Sequence, residues 1–343
     1  MTLKLILPLS AGLLLMASCS SHESEGGTAV GTKQVNFAVS VPKSPREATT
    51  TNSIDAFQVW SFVDGNPYMS QVTVTKGSNG TWSSDPIMYW PANSETKVNF
   101  YSISPTVNVE TKTPNGPDIK DFTNNGDVDL LYGVNIGETA ADGQVHINFR
   151  HALSQVTFSA KSKEDNTVTV SGLDLIGLYN TGSFNFPNTT TSYTTQDSNS
   201  VGSWGDWSNT ANITILKSTP KVLNTTTSTL LTDTSYEFAL PQSLTAVSGS
   251  NGSYSGAYIR LRCTIAQNGV KIWPKETDAN YDSNTKEGYI IFPLTTDTIK
   301  SWQPGKHYNY TLNVGVPDKT GAIEFSVTVD EYTSFTTDVE SAN

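Results

Sequence analysis

Residues 35–41 read Val-Asn-Phe-Ala-Val-Ser-Val. Val35, Phe37, Val39 and Val41 fall at every second position, so an extended chain puts all four on one face. Near the other end, residues 323–329 read Ile-Glu-Phe-Ser-Val-Thr-Val. Ile323, Phe325, Val327 and Val329 repeat the same order of aliphatic, Phe, Val and Val at the same spacing. Between these two runs the period of two recurs at 54–63, 72–75, 98–103, 129–134, 145–149 and 155–160. It continues at 168–179, 213–216, 236–240, 258–265, 289–292 and 308–316. Turn-formers punctuate the runs, as in Lys76-Gly77-Ser78-Asn79-Gly80 and Pro317-Asp318-Lys319-Thr320-Gly321. No window carries a sustained helical stripe. Many short strands with turns between them predict an all-β fold of β-sandwiches. About seven strands per half predict two of them in tandem, divided in the polar stretch 161–166. Segments 106–127 and 188–210 lack clear patterning and read as two long loops, a length that usually goes with function or disorder.

Composition narrows the partners. Charged residues make up 15% of the 343, against about 25% in typical globular chains. The net charge is −11. Nucleic acid and anionic membrane surfaces select basic patches, so neither is an expected partner. There are two cysteines, Cys19 and Cys263.

The chain opens with Lys4 and an apolar run from Leu5 to Met16, followed by Ala17-Ser18-Cys19. A positive start, a short apolar core and a small-residue cut site mark a secretory signal over residues 1–18. The run is shorter than the ~20 apolar residues of a membrane span. The cysteine at the cut resembles the lipobox of bacterial lipoproteins, which makes Cys19 the expected lipidation site. Ser20 to Gly27 then reads as a polar tether. With Cys19 lipidated, Cys263 is the one thiol left and no intramolecular disulfide forms.

Chemistry is sparse. His22, His146, His151 and His307 stand at no metal-ligand spacing from one another or from a cysteine. No Gly-x-Ser-x-Gly elbow and no phosphate-cradling glycine loop is present. Asp127 and Asp129 read as a solvated face. The run Asp278-Ala279-Asn280-Tyr281-Asp282-Ser283-Asn284 begins like a calcium loop. It then has Ser283 where the loop needs Gly and Tyr289 where it needs the bidentate Glu. Trp204-Gly205-Asp206-Trp207 places two aromatics beside a carboxylate. They stack on a sugar ring or, in the favoured reading, pack down to pin the long loop. No cofactor and no enzymatic activity are expected.

Six phrases in order along the chain carry a resemblance. Trp90-Pro91 leading to Val98-Asn99-Phe100-Tyr101-Ser102-Ile103-Ser104-Pro105 is one, and Asp129-Leu130-Leu131-Tyr132-Gly133 is the next. Phe149-Arg150-His151-Ala152-Leu153-Ser154-Gln155-Val156 and Tyr179-Asn180-Thr181-Gly182-Ser183 follow. Leu240-Pro241-Gln242 and Trp302-Gln303-Pro304-Gly305-Lys306-His307-Tyr308-Asn309-Tyr310 complete the set. Together they resemble the fimbrillin family. The resemblance implies a type V pilus protein with two transthyretin-like Greek-key sandwiches, spanning residues 47–163 and 164–343 here. It implies a lipoprotein precursor carried to the outer membrane and surface-exposed, then cut after an arginine by a trypsin-like protease. The tether and first strand, residues 19–46, leave as a propeptide. A strand from another fimbrial subunit, like or unlike, fills the groove.

Arg46, followed by Glu47, is the scissile candidate, since Pro42, Pro45 and the Thr-rich stretch behind make a poor strand and an accessible loop. The removable strand holds Val35, Phe37, Val39 and Val41. Losing four such side chains forfeits roughly 6–12 kcal/mol, comparable to a domain's whole stability. Residues 323–329 match its pattern and are one candidate donor. If they are instead the last strand of the second domain, paired with 308–316, the donor is the tail 331–343. There Tyr332, Phe335 and Val339 are unevenly spaced. A polar tail leaves open a tip or accessory adhesin or an anchor, binding glycan or protein on host or neighbouring cells.

Overall fold

The computed structural model describes residues 28–40, 54–107, 111–113, 116–126, 128–191, 201–216, 218–233, 237–317 and 325–331. Every regular element among them is a strand, as the alternation predicts. The first half holds β1 (Val30–Gln34), β2 (Asn36–Ser40), β3 (Ala56–Val63), β4 (Asn66–Lys76), β5 (Trp82–Asp85) and β6 (Tyr89–Pro91). It continues with β7 (Val98–Ser104), β8 (Thr111–Thr113), β9 (Gly116–Thr123), β10 (Leu131–Glu138), β11 (Gln144–Asn148) and β12 (Arg150–His151). The second half opens with β13 (Ser154–Ser162), β14 (Thr167–Asn185), β15 (Ser203–Leu216), β16 (Lys221–Leu223), β17 (Thr229–Leu230), β18 (Glu237–Ala239) and β19 (Ser248–Ser250). There follow β20 (Ser253–Ser255), β21 (Tyr258–Gln267), β22 (Val270–Trp273), β23 (Tyr281–Asp282), β24 (Glu287–Pro293), β25 (Lys306–Val314) and β26 (Phe325–Glu331).

In the first half, eight strands pair in the order β11-β2-β5-β4-β3-β7-β10-β12. β11 and β12 stand at opposite ends of that order, yet only Phe149 separates them in the chain. The sheet therefore curls round on itself. Its inner face encloses Phe37, Phe57, Trp90, Phe100, Val145 and Phe149, all at most 2% exposed.

The second half packs two sheets face to face. One runs β17-β13-β25-β26, with β18 also on β13. The other runs β23-β24-β21-β14-β9-β8, with β15 and β16 on β14 and β22 on β21. The core between them holds Phe158, Leu261, Ile265, Trp302, Tyr310 and Leu312. A third core joins the halves. Trp60, Tyr101, Ile103 and Tyr132 leave the first sheet's outer face to meet Phe184, Trp204 and Leu240.

Three features differ from the sequence reading. Segment 106–127 is not one open loop, because it contains the β8–β9 hairpin, which joins the second half's sheet through β14. Ile119 and Phe122, both buried, are three apart, and Asp121 between them has φ 49°. That bulge erases the alternation that would have announced a strand. Segment 188–210 likewise becomes β15 from Ser203 onward. Asp206 and Asn209 sit there at φ 49° and 53° and again break the period. Finally, the polar stretch 161–166 lies inside the second half: Lys161 and Ser162 end β13, which pairs in parallel with β25, and 163–166 turn the chain into β14.

Candidate functional site

β2 lies between two neighbours of opposite sense. It pairs in parallel with β11 from Asn36↔Gln144 to Ser40↔Asn148, and meets β5 antiparallel at Phe37↔Trp82. Alternation decides what faces in. Val35 and Phe37 are each 2% exposed, and Val39 packs, partly buried, against the same core. The Phe37 ring stands edge-on to Phe57 and Phe100 at 5.8 and 6.1 Å, an arrangement that suits the ring quadrupoles.

The strand is also held by polar groups. Val35 N–H donates to Met88 O at 2.9 Å, and Phe149 N–H donates to Ser40 O at 2.9 Å. The Gln144 amide donates to Phe37 O at 2.7 Å, and the Ser40 hydroxyl donates to Asn148 Oδ1 at 3.1 Å. Ahead of β2, β1 pairs with β6, and the Lys33 ammonium donates to Ala140 O. Taking β1 and β2 away would open a slot walled by β5 and β11 and bare the edge of β6. Val41, Arg46, Glu47 and Cys19 lie outside the described residues.

At the far end, β26 pairs antiparallel with β25 over seven positions, from Lys306↔Glu331 to Leu312↔Phe325. Among the described residues it is the last strand of its sheet, with β25 as its neighbour. Phe325 and Val327 are partly buried against the second core, while Val329 is 46% exposed. Ile323 lies outside the described residues.

The two tryptophans part company. Trp204 is 8% exposed, packs on Phe184 and Phe122 at 5.3 and 5.7 Å, and donates its indole N–H to Ala152 O at 2.6 Å. A ligand-stacking role for Trp204 is thereby corrected: its ring is part of the third core. Trp207 is 40% exposed, with its indole N–H donated to Pro241 O at 3.1 Å.

The phrases that carried the family resemblance meet in space as clasps. Asp129 Oδ1 lies 2.9 Å from His151 Nδ1, both side chains buried, beside the β10–β12 pair Leu131↔His151. Gln242 mimics a strand. Its Oε1 accepts from Tyr179 N–H at 2.8 Å, and its Nε2 donates to Tyr179 O at 2.9 Å. Trp302 Nε1 donates to the Tyr310 hydroxyl at 3.0 Å, which donates to Leu294 O at 2.9 Å. Burial pushes the Tyr310 phenol well above its ordinary range. Trp302 N–H reaches Gln242 O at 2.9 Å, Gly305 N–H reaches Leu153 O at 2.9 Å, and the Ser154 hydroxyl reaches Gln303 O at 2.8 Å. These residues hold the sheets and their junction together.

Other candidate chemistry is used up locally. Asp282 Oδ1 accepts from Asn284 N–H at 2.8 Å, and Tyr289 OH donates to Oδ2 at 3.2 Å. The Asn284 backbone N–H is the main reason its carboxyl is held below the usual value. Asp278 Oδ2 accepts from Lys275 N–H at 2.8 Å. These carboxylates shape a turn. Among the described residues no three His, Cys, Asp or Glu side chains converge to hold a metal. Cys263 is fully buried, and burial raises its thiol far above the ordinary value.

A family model described as fimbrillin-like matches residues 43–331. Among solved structures, a fimbrial protein from Bacteroides vulgatus is 16% identical with a TM-score of 0.54, over 88% of this chain and 100% of that one. A candidate cell adhesion protein from Bacteroides uniformis is 15% identical with a TM-score of 0.49, over 88% and 99%. At such identity the first likeness speaks for the fold. No curated protein matches the chain.

Proposed function

Since the chain belongs to the fimbrillin-like family, we propose that it is a structural subunit of a surface fimbrium, made as a lipoprotein precursor and assembled by strand exchange. In this reading Cys19 carries the lipid that holds the precursor at the outer membrane. A trypsin-like protease cuts between Arg46 and Glu47, and residues 19–46 leave with β1 and β2. The rest works as two sandwich halves that share the Trp204 core. The partner is another fimbrial subunit, of the same or a related chain.

The observation that carries the reading is the seat of β2. It lies between β11 and β5, not on an edge, so its loss leaves a slot with a strand on either side. Emptying the Val35 and Phe37 positions alone forfeits roughly 3–6 kcal/mol of burial. A slot of that kind collapses or takes up a strand of the same pattern. Residues 323–329 have that pattern, and β26 occupies an edge place from which one ladder must open.

The test is limited cleavage of the full chain with a trypsin-like protease. Mass spectrometry confirms a new N-terminus at Glu47, and unheated denaturing gels then show ladders. Cleaved chains that stay monomeric at high concentration overturn the proposal. A second reading, a tip or accessory adhesin, is favoured by Trp207, which exposes 40% of its surface between the left-handed residues Asp206 and Asn209. It requires glycan-array binding that disappears in Trp207→Ala.

A further inference from the structure

Gln144 and Asn148 of β11 hydrogen-bond to β2 through their side chains, and they read different things. Gln144 donates to Phe37 O, a backbone group that any occupant supplies. Asn148 accepts from the Ser40 hydroxyl, a side chain that only some occupants supply. Asn148 is also prevented from turning its amide round. Its Nδ2 donates to Thr191 O at 3.2 Å, which aims Oδ1 at β2. Thr191 is itself fully buried, with its hydroxyl 2.7 Å from Asn148 O and accepting from Val134 N–H at 3.0 Å. The acceptor oxygen is thus set in place by a buried neighbour before any strand arrives.

Superposing the shared order, Ile323 on Val35 and Phe325 on Phe37, brings Thr328 onto the position of Ser40. Both residues carry a hydroxyl on Cβ. Slips of two residues keep the apolar face inward, so alternation alone does not reject them. One such slip puts Asp330 at position 40, where a carboxylate would face the Asn148 oxygen. The opposite slip puts Ser326 there and takes Phe325 out of the Phe37 pocket. Phenyl and hydroxyl together select one register.

We propose that Asn148 is the register-reading residue of this slot, and that in the assembled fibre it accepts from Thr328 of a second copy of the chain. This rests on the strand-exchange reading above. Thr328 is exposed at home, where it pairs with Asn309 on the outer edge.

The register can be trapped covalently. Ala38 pairs with His146 across β2 and β11, so the proposed register sets Ser326 of one copy beside His146 of the next. The full-length double variant His146→Cys/Ser326→Cys, trimmed after Arg46 and oxidised, is expected to give ladders that survive boiling and collapse on reduction. Adding Thr328→Val should cut the cross-linked fraction about fivefold, the worth of one hydrogen bond, and Thr328→Ser should restore it. Asn148→Ala combined with Thr328→Val should be no worse than Asn148→Ala alone, because the hydroxyl then has no Asn148 oxygen left to lose. Ladders without the cross-link, or a Thr328→Val chain that cross-links as well as its parent, overturn the register assignment and leave strand exchange standing. A parent chain that never polymerises overturns strand exchange and the register together.

Discussion

β2 and β26 carry nearly the same letters in opposite circumstances. β2 has a strand on each side and a ring of phenyl groups beneath it. β26 has one neighbour among the described residues and keeps Val329 46% exposed. Alternation tells which side chains share a face, while the number of neighbours decides how deeply that face is buried. The contrast has a direction. A strand that moves from a one-sided edge to a two-sided slot gives up one ladder and gains two, with its Phe better covered than before. That imbalance is what exchange between copies would draw on.

The contrast can be broken by truncation. Phe37→Ala should destabilise the first half by about 3–5 kcal/mol, the range for a buried aromatic. Phe325→Ala, starting from a partly covered site, should cost the second half about 1–2 kcal/mol. Urea unfolding of the two full-length variants, followed by tryptophan fluorescence, compares them directly. Equal losses would mean that β26 is seated as firmly as β2, and would remove the argument for its departure. The same rule separates the tryptophans. Trp204→Ala should cost about 3–5 kcal/mol. Trp207→Ala, being half-exposed, should stay below about 1 kcal/mol, which also makes it a clean probe of glycan binding.

The all-β class and most strands were legible because alternation survives wherever one face is buried, as at β2, β21 and β25. The short pieces were not. Two-residue strands such as β12 and β17 are too brief to show a period, and they exist because neighbours offer hydrogen bonds to them. β9 and the first part of β15 were hidden by bulges at Asp121 and Asp206, where the chain shifts register. The phrase residues were visible as a set, but their purpose was not. Nothing in the order Leu240-Pro241-Gln242 tells that the Gln242 amide closes on Tyr179, because the partner is 63 positions away. At the proposed slot the apolar face could be read from the letters. The roles of Gln144 and Asn148 could not, since both look like ordinary polar residues on the outer side of a strand.

The smallest effect concerns acid, and it also separates the two strands. Asp142 Oδ2 accepts from the Thr139 hydroxyl at 2.7 Å and from Thr139 N–H at 2.6 Å. These bonds, the hydroxyl first, hold its carboxyl below the usual value, with Lys33 adding to the effect. Asp142 lies in the turn just before β11, the wall of the β2 slot, and Ala140 of that turn accepts from Lys33. A depressed carboxyl favours the folded state above its ordinary value near ~3.9 and loses that contribution as pH falls through the depressed one. The group is exposed, so the loss is local and small. Asp282, also held down, belongs to β23 in the other sheet of the second half, away from the β25–β26 ladder. Lowering the pH below about 4 should therefore speed amide exchange at Val145 and Ile147 before it does so at Tyr308 and Tyr310. Asp142→Asn, which keeps an accepting oxygen but does not titrate, should abolish the difference. If the amides of β25 open at the same pH, acid acts on the whole molecule, and the turn does not guard the slot.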